Sequence, residues 1–313
     1  MLSFINQISL IRYLIVWKVN GSLIRLPTCL SIELSRVLGT IIANRLPTKE
    51  ARAWRKAMIS TDQERQDPLI LSAPPPSSPW PLEVVLFPYP GKRIYGWGEP
   101  VIWELKLLGD HADHTLFLEV LLPAMEEAAT QANPSPRSLW GRFDIHAVYA
   151  ARGSKWEPVV TEGKLNLNYR PTPTQWADRL SFSPDPSRPL HRIHWLVPFE
   201  LEGSGEPTLY DVLNALVARL TLFVPGKRPA PDDVWAWLPV EERKALQTLL
   251  EEAKTIVPTN SALKRALKGW PGLWMGTQTY ASIPRRAVPY LELASILHIG
   301  RHTHFGCGTF KMA

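Results

Sequence analysis

Cysteine is nearly absent: Cys29 and Cys307 are the two that 313 residues contain. So few thiols, so far apart, argue against a disulfide framework and fit a reducing cytoplasm. No Cys/His zinc spacing occurs, so neither a metal nor another cofactor is expected. The apolar N-terminal run, Ile5 to Val19, is interrupted by Arg12 and Lys18, lacks a cationic leader and a small-residue cleavage site, and is too short to span a bilayer. It reads as a buried strand, and no membrane partner is expected. No histidine precedes His111. Nucleotide fingerprints are missing as well, because Gly300 to Gly308 fits neither G-x-G-x-x-G nor G-x-x-x-x-G-K-[ST]. The charge excess of +6 favours an anionic partner without identifying one.

What is present is enough apolar material for two cores, 45% of the chain. Ser9 to Val19 predicts a central strand buried on both faces, followed by a turn at Asn20-Gly21. Ser31 to Leu46 has Leu34, Val37, Leu38, Ile41 and Ile42 at helical spacing, with Ser31 as N-cap and Leu46-Pro47 as stop. A second helix is expected over Thr48 to Ser60, where Lys49, Arg52 and Lys56 form a basic stripe that an ordinary solvated surface would also explain. Asp67 to Pro81, with Ala73-Pro-Pro-Pro-Ser-Ser-Pro79, reads as an extended spacer. Strands follow at Glu83 to Tyr89 and around Val101, Trp103, Leu105 and Leu107. Asp113 to Ala129 is helical in pattern, with Pro123 expected to kink it or end its first part. Leu139 to Ala150 alternates again, and Trp156 to Leu167 suggests an added hairpin.

Tyr169 to Pro189, rich in Pro, Ser and Thr, reads as the domain junction. A strand over His191 to Glu200 precedes Thr208-Leu-Tyr-Asp211, a capping box opening the helix Leu209 to Phe223. Pro239 to Val257 predicts a further amphipathic helix, and Trp270 to Arg286 two short strands. The chain closes on the run Leu291-Leu293-Ala294-Leu297, then His298-Ile-Gly-Arg-His-Thr-His-Phe-Gly-Cys-Gly308, read as helix, glycine-rich loop and strand. Gly300, Gly306 and Gly308 allow positive φ among the cations Arg301, His302 and His304, a combination suited to a phosphate chain.

This tail resembles the C-terminal signature of the CRISPR precursor-RNA processing endoribonucleases of the RAMP superfamily: a hydrophobic helix, a His-φ-Gly turn and a Phe-Gly-x-Gly strand entry. Trp195-Leu-Val-Pro-Phe with the helix Leu209 to Phe223 resembles the opening of that family's second domain, and Gly96 to Ala150 the later half of its first. Together with the order strand, helix, strand, strand, helix, strand, the resemblance implies an α+β chain. It would hold two tandem ferredoxin-like (RRM-like) domains, 1–170 and 191–313, joined by a linker at 171–190. It also implies metal-independent cleavage of repeat RNA by its own 2′-hydroxyl, leaving a 5′-hydroxyl and a 2′,3′-cyclic phosphate. The expected partners are a CRISPR repeat RNA hairpin or guide RNA and other CRISPR effector subunits.

The family commonly places a catalytic histidine in or near the first helix, and here that position holds none. Three arrangements remain open. Arg25 and Arg36 can stabilise the transition state with help from Tyr13; His302 or His304 can supply the base; or the chain binds RNA without cutting it. For RNA contact, the candidates are Arg45, Lys49, Arg52, Arg55 and Lys56 in the first domain. In the second they are Lys264, Arg265, Lys268, Arg285, Arg286 and Arg301, with Gly300, Gly306 and Gly308 of the loop. Asp110-His111-Ala-Asp-His114 looks like a metal motif but is explained by an aspartate N-cap. His298 suits a helix C-cap, and the tryptophans, Trp103, Trp195, Trp270 and Trp274 among them, are read as core.

Overall fold

The computed structural model describes residues 2–56, 79–130, 140–180, 182, 190–203, 206–226 and 229–313. The chain divides into two compact units, Leu10–Asp178 and Arg179–Ala313, the latter joined by Met1–Ser9.

In the first unit, β1 (Leu10–Val19) leads through the short β2 (Leu23–Arg25) to α1 (Leu30–Arg45). A second helix, α2, opens at residue 48 and is described to 56. Then come β3 (Val84–Pro88), β4 (Ile94–Gly96) and β5 (Pro100–Leu108). The next helix, α3, comprises His114–Leu116, a π-helical turn at Phe117–Leu121 and Leu122–Thr130. β6 (Phe143–Arg152), β7 (Lys155–Thr161) and β8 (Lys164–Leu165) complete the unit. The antiparallel sheet runs β3-β5-β1-β6-β7-β8, with Tyr13 opposite Leu105 on one side and Ala150 on the other. The turn between β7 and β8 places Glu162 and Gly163 both at positive φ, matching the right-handed twist of the flanking strands.

The core lies between this sheet and the helices α1 and α3. Tyr13, Ile15, Trp17 and Trp103 pack with Leu34, Leu38, Ile41 and Ile42 of α1 and Phe117 and Leu121 of α3. Trp17 meets Trp103 edge to face at 5.3 Å. Each fully buried aliphatic side chain contributes roughly 1.5–3 kcal/mol.

Several expectations are corrected. β1 is not buried on both faces: Ile11, Tyr13, Ile15 and Trp17 point into the core, whereas Arg12, Leu14 and Val16 are half-buried. Cys29, not Ser31, holds the N-cap of α1; Ser31 is buried in the first turn, with its hydroxyl 3.2 Å from the Cys29 thiol. Pro123 does not end α3, which continues to Thr130; a π-helical turn stands just before it, where the usual hydrogen-bond ladder is already shifted. Residues 57–60 of the second helix, most of the Pro-rich spacer, Leu139 and, in the junction, residues 181 and 183–189 lie outside the described residues.

The second unit has β9 (Arg192–Trp195), α4 (Leu209–Leu220), α5 (Pro231–Trp237) and α6 (Val240–Ala253). β10 (Asn260–Ser261), β11 (Lys264–Arg265), β12 (Trp274–Met275), β13 (Thr277–Thr279), α7 (Val288–Leu297) and β14 (Phe310–Met312) follow. Its four-stranded sheet runs β10-β13-β9-β14. Thr208 and Asp211 form the expected capping box, and α4 buries Leu209, Val212, Leu213, Leu216, Val217 and Leu220. Trp195 stacks on Phe199 at 3.7 Å, and its indole N–H donates to the fully buried Gln278 at 3.2 Å. Gln278 in turn donates to the Pro207 carbonyl, so this buried amide is satisfied at both ends. In each unit the strand order is the one a βαββαβ chain makes when its first strand lies between its third and fourth.

Candidate nucleic-acid interface

In the second unit, α7 ends at His298, whose φ of 57° turns the chain out of the helix. Its imidazole is buried, with Nδ1 2.9 Å from the Gly306 carbonyl, so the expected C-cap also ties the helix end to the far side of the loop. Gly300 (φ 82°) and Gly308 (φ 79°) are required by close approach: a Cβ on Gly300 would overlap the Glu200 carbonyl, and one on Gly308 the Ile299 carbonyl. The amides of Ile299, Arg301, Phe305 and Gly306 donate to Gly308, Glu200, His302 and Thr303. Three of these bonds hold the loop to itself, and the fourth, from Arg301, fastens it to Glu200.

The cations of the loop separate. His304 is buried and sits edge-on to Phe305 at 5.0 Å. That placement removes it from a strand arriving through solvent. His302, in the left-handed region with φ 60°, is partly exposed, and its Nε2 lies 3.6 Å from Glu200 Oε2. Arg301 reaches the other oxygen of the same carboxylate at 3.2 Å. The contact with His302, then the Arg301 guanidinium, holds the Glu200 carboxyl below its usual range, against the opposing effect of burial. An imidazole leaning on a carboxylate, with a guanidinium beside it, can accept a proton and stabilise a developing anion. Glu200 carried no recognisable spacing in the sequence; it marks the end of a predicted strand, and only the fold brings it to His302.

Two further basic features lie in this unit. β11 and β12 pair with Lys264 opposite Met275 and Arg265 opposite Trp274. The Arg265 guanidinium lies over the Trp274 ring at 4.9 Å, and Lys264 and Lys268 are exposed. Trp270 and Trp274 are half-buried rather than core. Arg285 and Arg286 are exposed at the start of α7, where Arg286 pairs with Glu252.

In the first unit, α2 buries Ala51 and Trp54 and leaves Lys49, Arg52, Arg55 and Lys56 on its exposed side. Trp54 packs on Trp80 at 5.2 Å, and Trp80 donates to the Ser35 carbonyl, which anchors α2 to α1. Arg45 is engaged with Glu127 at 3.1 Å and the Pro123 carbonyl. Arg36 pairs with Glu33 one turn back at 2.7 Å. Arg25 is exposed on β2.

Tyr13 is placed elsewhere. It is fully buried, its ring stacks on Phe117 at 4.0 Å and its hydroxyl bonds His114 Nδ1, so the expectation that it assists at a solvent-borne phosphate is corrected to a core role. The apparent His-x-x-His motif dissolves in the same way. Asp113 caps α3 by accepting from the Thr115 amide, His111 accepts from the Glu83 amide, and His114 belongs to Tyr13. Among the described residues, no group of three or more His, Cys, Asp or Glu side chains is placed to hold a metal ion. Nor is any helix among them long and apolar enough to cross a membrane.

No family model matches the chain, and no curated protein does. Solved structures do. A chain of a partial Cas6-RT-Cas1–Cas2 complex matches with TM-score 0.55 and 10% identity, over 98% of this chain and 46% of that one. This chain thus spans less than half the length of that match. A Cas6 product complex gives a TM-score of 0.49 at 15% identity, over 97% of this chain and all of the other. Cas6 from Thermus thermophilus gives 0.45 at 14% identity, over 98% and 99% of the two chains. At such identities the likeness is one of fold, shared with the chain of the partial Cas6-RT-Cas1–Cas2 complex.

Proposed function

We propose that the chain is a CRISPR repeat-RNA endoribonuclease built of two tandem ferredoxin-like domains, with the junction at 171–190. The fold shared with a chain of a Cas6-RT-Cas1–Cas2 complex carries this reading, and basic exposed faces in each unit supply what an RNA backbone needs. Lys49, Arg52, Arg55 and Lys56 grip phosphates from the first unit; Lys264, Arg265 and Lys268 do so from the second, with the Arg265–Trp274 pair offering a stacking edge. Arg285, Arg286 and Arg301 add charge that Glu252 and Glu200 partly neutralise.

His302 is the base in this reading. It takes the proton of a 2′-hydroxyl, whose oxygen attacks the adjacent phosphorus. The bond to the 5′-oxygen breaks, that oxygen takes a proton from water, the proton on His302 passes to solvent, and a 2′,3′-cyclic phosphate and a 5′-hydroxyl result. Glu200 orients the imidazole and Arg301 lies beside it for the phosphorane charge. The site needs no metal because proton transfer and charge stabilisation are supplied by side chains. Replacing His302 by Ala should abolish cleavage of the repeat hairpin and leave its affinity within a few-fold; retained cleavage would shift the reaction to Arg25 and Arg36.

A second reading is RNA binding without cleavage, as a subunit of a CRISPR effector complex. The burial of His304 and Tyr13 favours it, since only His302 among those candidates is left partly exposed. In that case neither His302 nor Arg25 variants change any chemistry, and only affinity responds.

A further inference from the structure

β2 and β4 form a two-stranded ribbon apart from the main sheet, pairing Leu23 with Gly96, Ile24 with Tyr95 and Arg25 with Ile94. The alternation of a strand sends Ile24, which is buried, and Tyr95 to one face, and Leu23, Arg25, Ile94 and Gly96 to the other. That second face is unusual for its chemistry. On it Leu23 is 61% exposed and Ile94 49%; Trp97, in the turn that follows β4, is 76% exposed. Gly96 offers no side chain opposite Leu23, and an added Cβ there would meet nothing closer than 3.9 Å, so a shallow flat strip is left open.

Trp97 is not on a loose loop. The Glu99 amide donates to the Gly96 carbonyl at 3.2 Å and the Glu99 carboxylate takes the Gly96 amide at 2.7 Å. The Gly98 amide donates to Val19 and the Val19 amide to Glu99, which fastens the turn to β1. Gly98, at φ 78°, supplies the left-handed position such a turn requires. An indole is thus held out to solvent on a rigid mount, which lowers the entropy cost of using it for contact.

The charge around it has one dominant sign. Arg25 is exposed on β2, and Lys92 and Arg93 are exposed just before β4; Lys92 pairs with Glu99, and Arg93 donates to the neutral Thr28 hydroxyl at 3.0 Å. An exposed aromatic among cations, with a bare apolar strip beside it, matches a nucleobase and its phosphate better than an apolar protein face.

We propose that the β2–β4 ribbon, with the turn that follows it and the residues that precede β4, is a platform for an unpaired nucleotide of the bound RNA, its base on Trp97 and its phosphates on Arg25 and Arg93. The inference rests on the RNA-binding reading above. It assigns the ribbon to single-stranded RNA flanking the hairpin, not to the hairpin stem.

The test compares two labelled probes, the repeat hairpin alone and the same hairpin with unpaired uridine flanks on both sides, against the wild-type chain, Trp97→Ala and Trp97→Phe. The flanks should tighten wild-type binding, and Trp97→Ala should remove that gain, about 5- to 150-fold, with the bare hairpin unaffected and Trp97→Phe partly restored. Equal affinity of wild type and Trp97→Ala for the flanked probe, with hairpin binding intact, overturns the platform alone. Equal weakening on both probes overturns its single-strand assignment. Failure of the wild type to bind either probe overturns the RNA reading itself.

Discussion

The Tyr13 hydroxyl and His114 Nδ1 meet at 2.8 Å in the core of the first unit. Burial pushes the Tyr13 phenol up, and burial together with the Arg170 charge pushes the His114 imidazole down, so the pair is held neutral. Tyr13→Phe leaves a buried nitrogen without its partner and should cost about 1–3 kcal/mol in urea unfolding, while RNA cleavage per folded molecule is unchanged.

The same pair sets a pH dependence. His114 has a folded-state value below 6.5, so the unfolded chain takes up the proton first, and stability present above that value is lost as pH falls through it. Unfolding free energies measured between about pH 7.5 and 5 should fall for the wild type and fall less for His114→Asn.

Gly308→Ala should be among the most damaging single-methyl additions in the tail. The new Cβ would overlap the Ile299 carbonyl, on the residue whose amide donates to the Gly308 carbonyl and closes the loop, and φ is positive there. A loss of about 2 kcal/mol or more is expected. Gly21→Ala, where the added Cβ meets nothing within 4 Å, is the control and should change thermal stability far less.

Glu200→Gln separates affinity from chemistry. Losing a carboxylate that leans on Arg301 and His302 should tighten RNA binding, while cleavage slows because the imidazole loses its orienting partner. The carboxyl is depressed in the folded chain, so the stability it adds is present above 4.5 and disappears as pH falls through the lowered value. Glu200→Gln should therefore flatten the acid limb of the stability profile, read by thermal unfolding.

Lys49→Ala with Arg52→Ala removes two exposed cations from α2 and touches no buried contact. If they meet phosphates, the slope of log affinity against log salt should become shallower by about 1.5 to 2. An unchanged slope would return the stripe to an ordinary solvated face.

Much of the fold was legible because its signals are local. Thr208 and Asp211 announce α4 by spacing alone, and the alternation of Val101, Trp103, Leu105 and Leu107 announces β5. The misreadings were competitions that local pattern does not resolve. Ser31 is a better capping residue than Cys29 by type, yet it is buried in the first turn instead. Pro123 reads as a break, yet α3 continues past it to Thr130. The β2–β4 ribbon hid because three-residue strands carry no period.

At the site, glycines and cations were visible in the tail, but which of them face solvent was not. His302 and His304 are two residues apart with the same side chain, and only the positive φ at His302 and the packing of Phe305 make one half-exposed and the other buried. Glu200, about a hundred positions upstream, reaches Arg301 and His302 through tertiary structure alone.

The most direct test is incubation of the pure chain with its repeat RNA in EDTA, beside a copy carrying a 2′-deoxy nucleotide immediately upstream of the cut. The account predicts cleavage of the first to a 2′,3′-cyclic phosphate and a 5′-hydroxyl, and none of the second. If both are held tightly and neither is cut, the endoribonuclease reading is contradicted and the chain is an RNA-binding subunit.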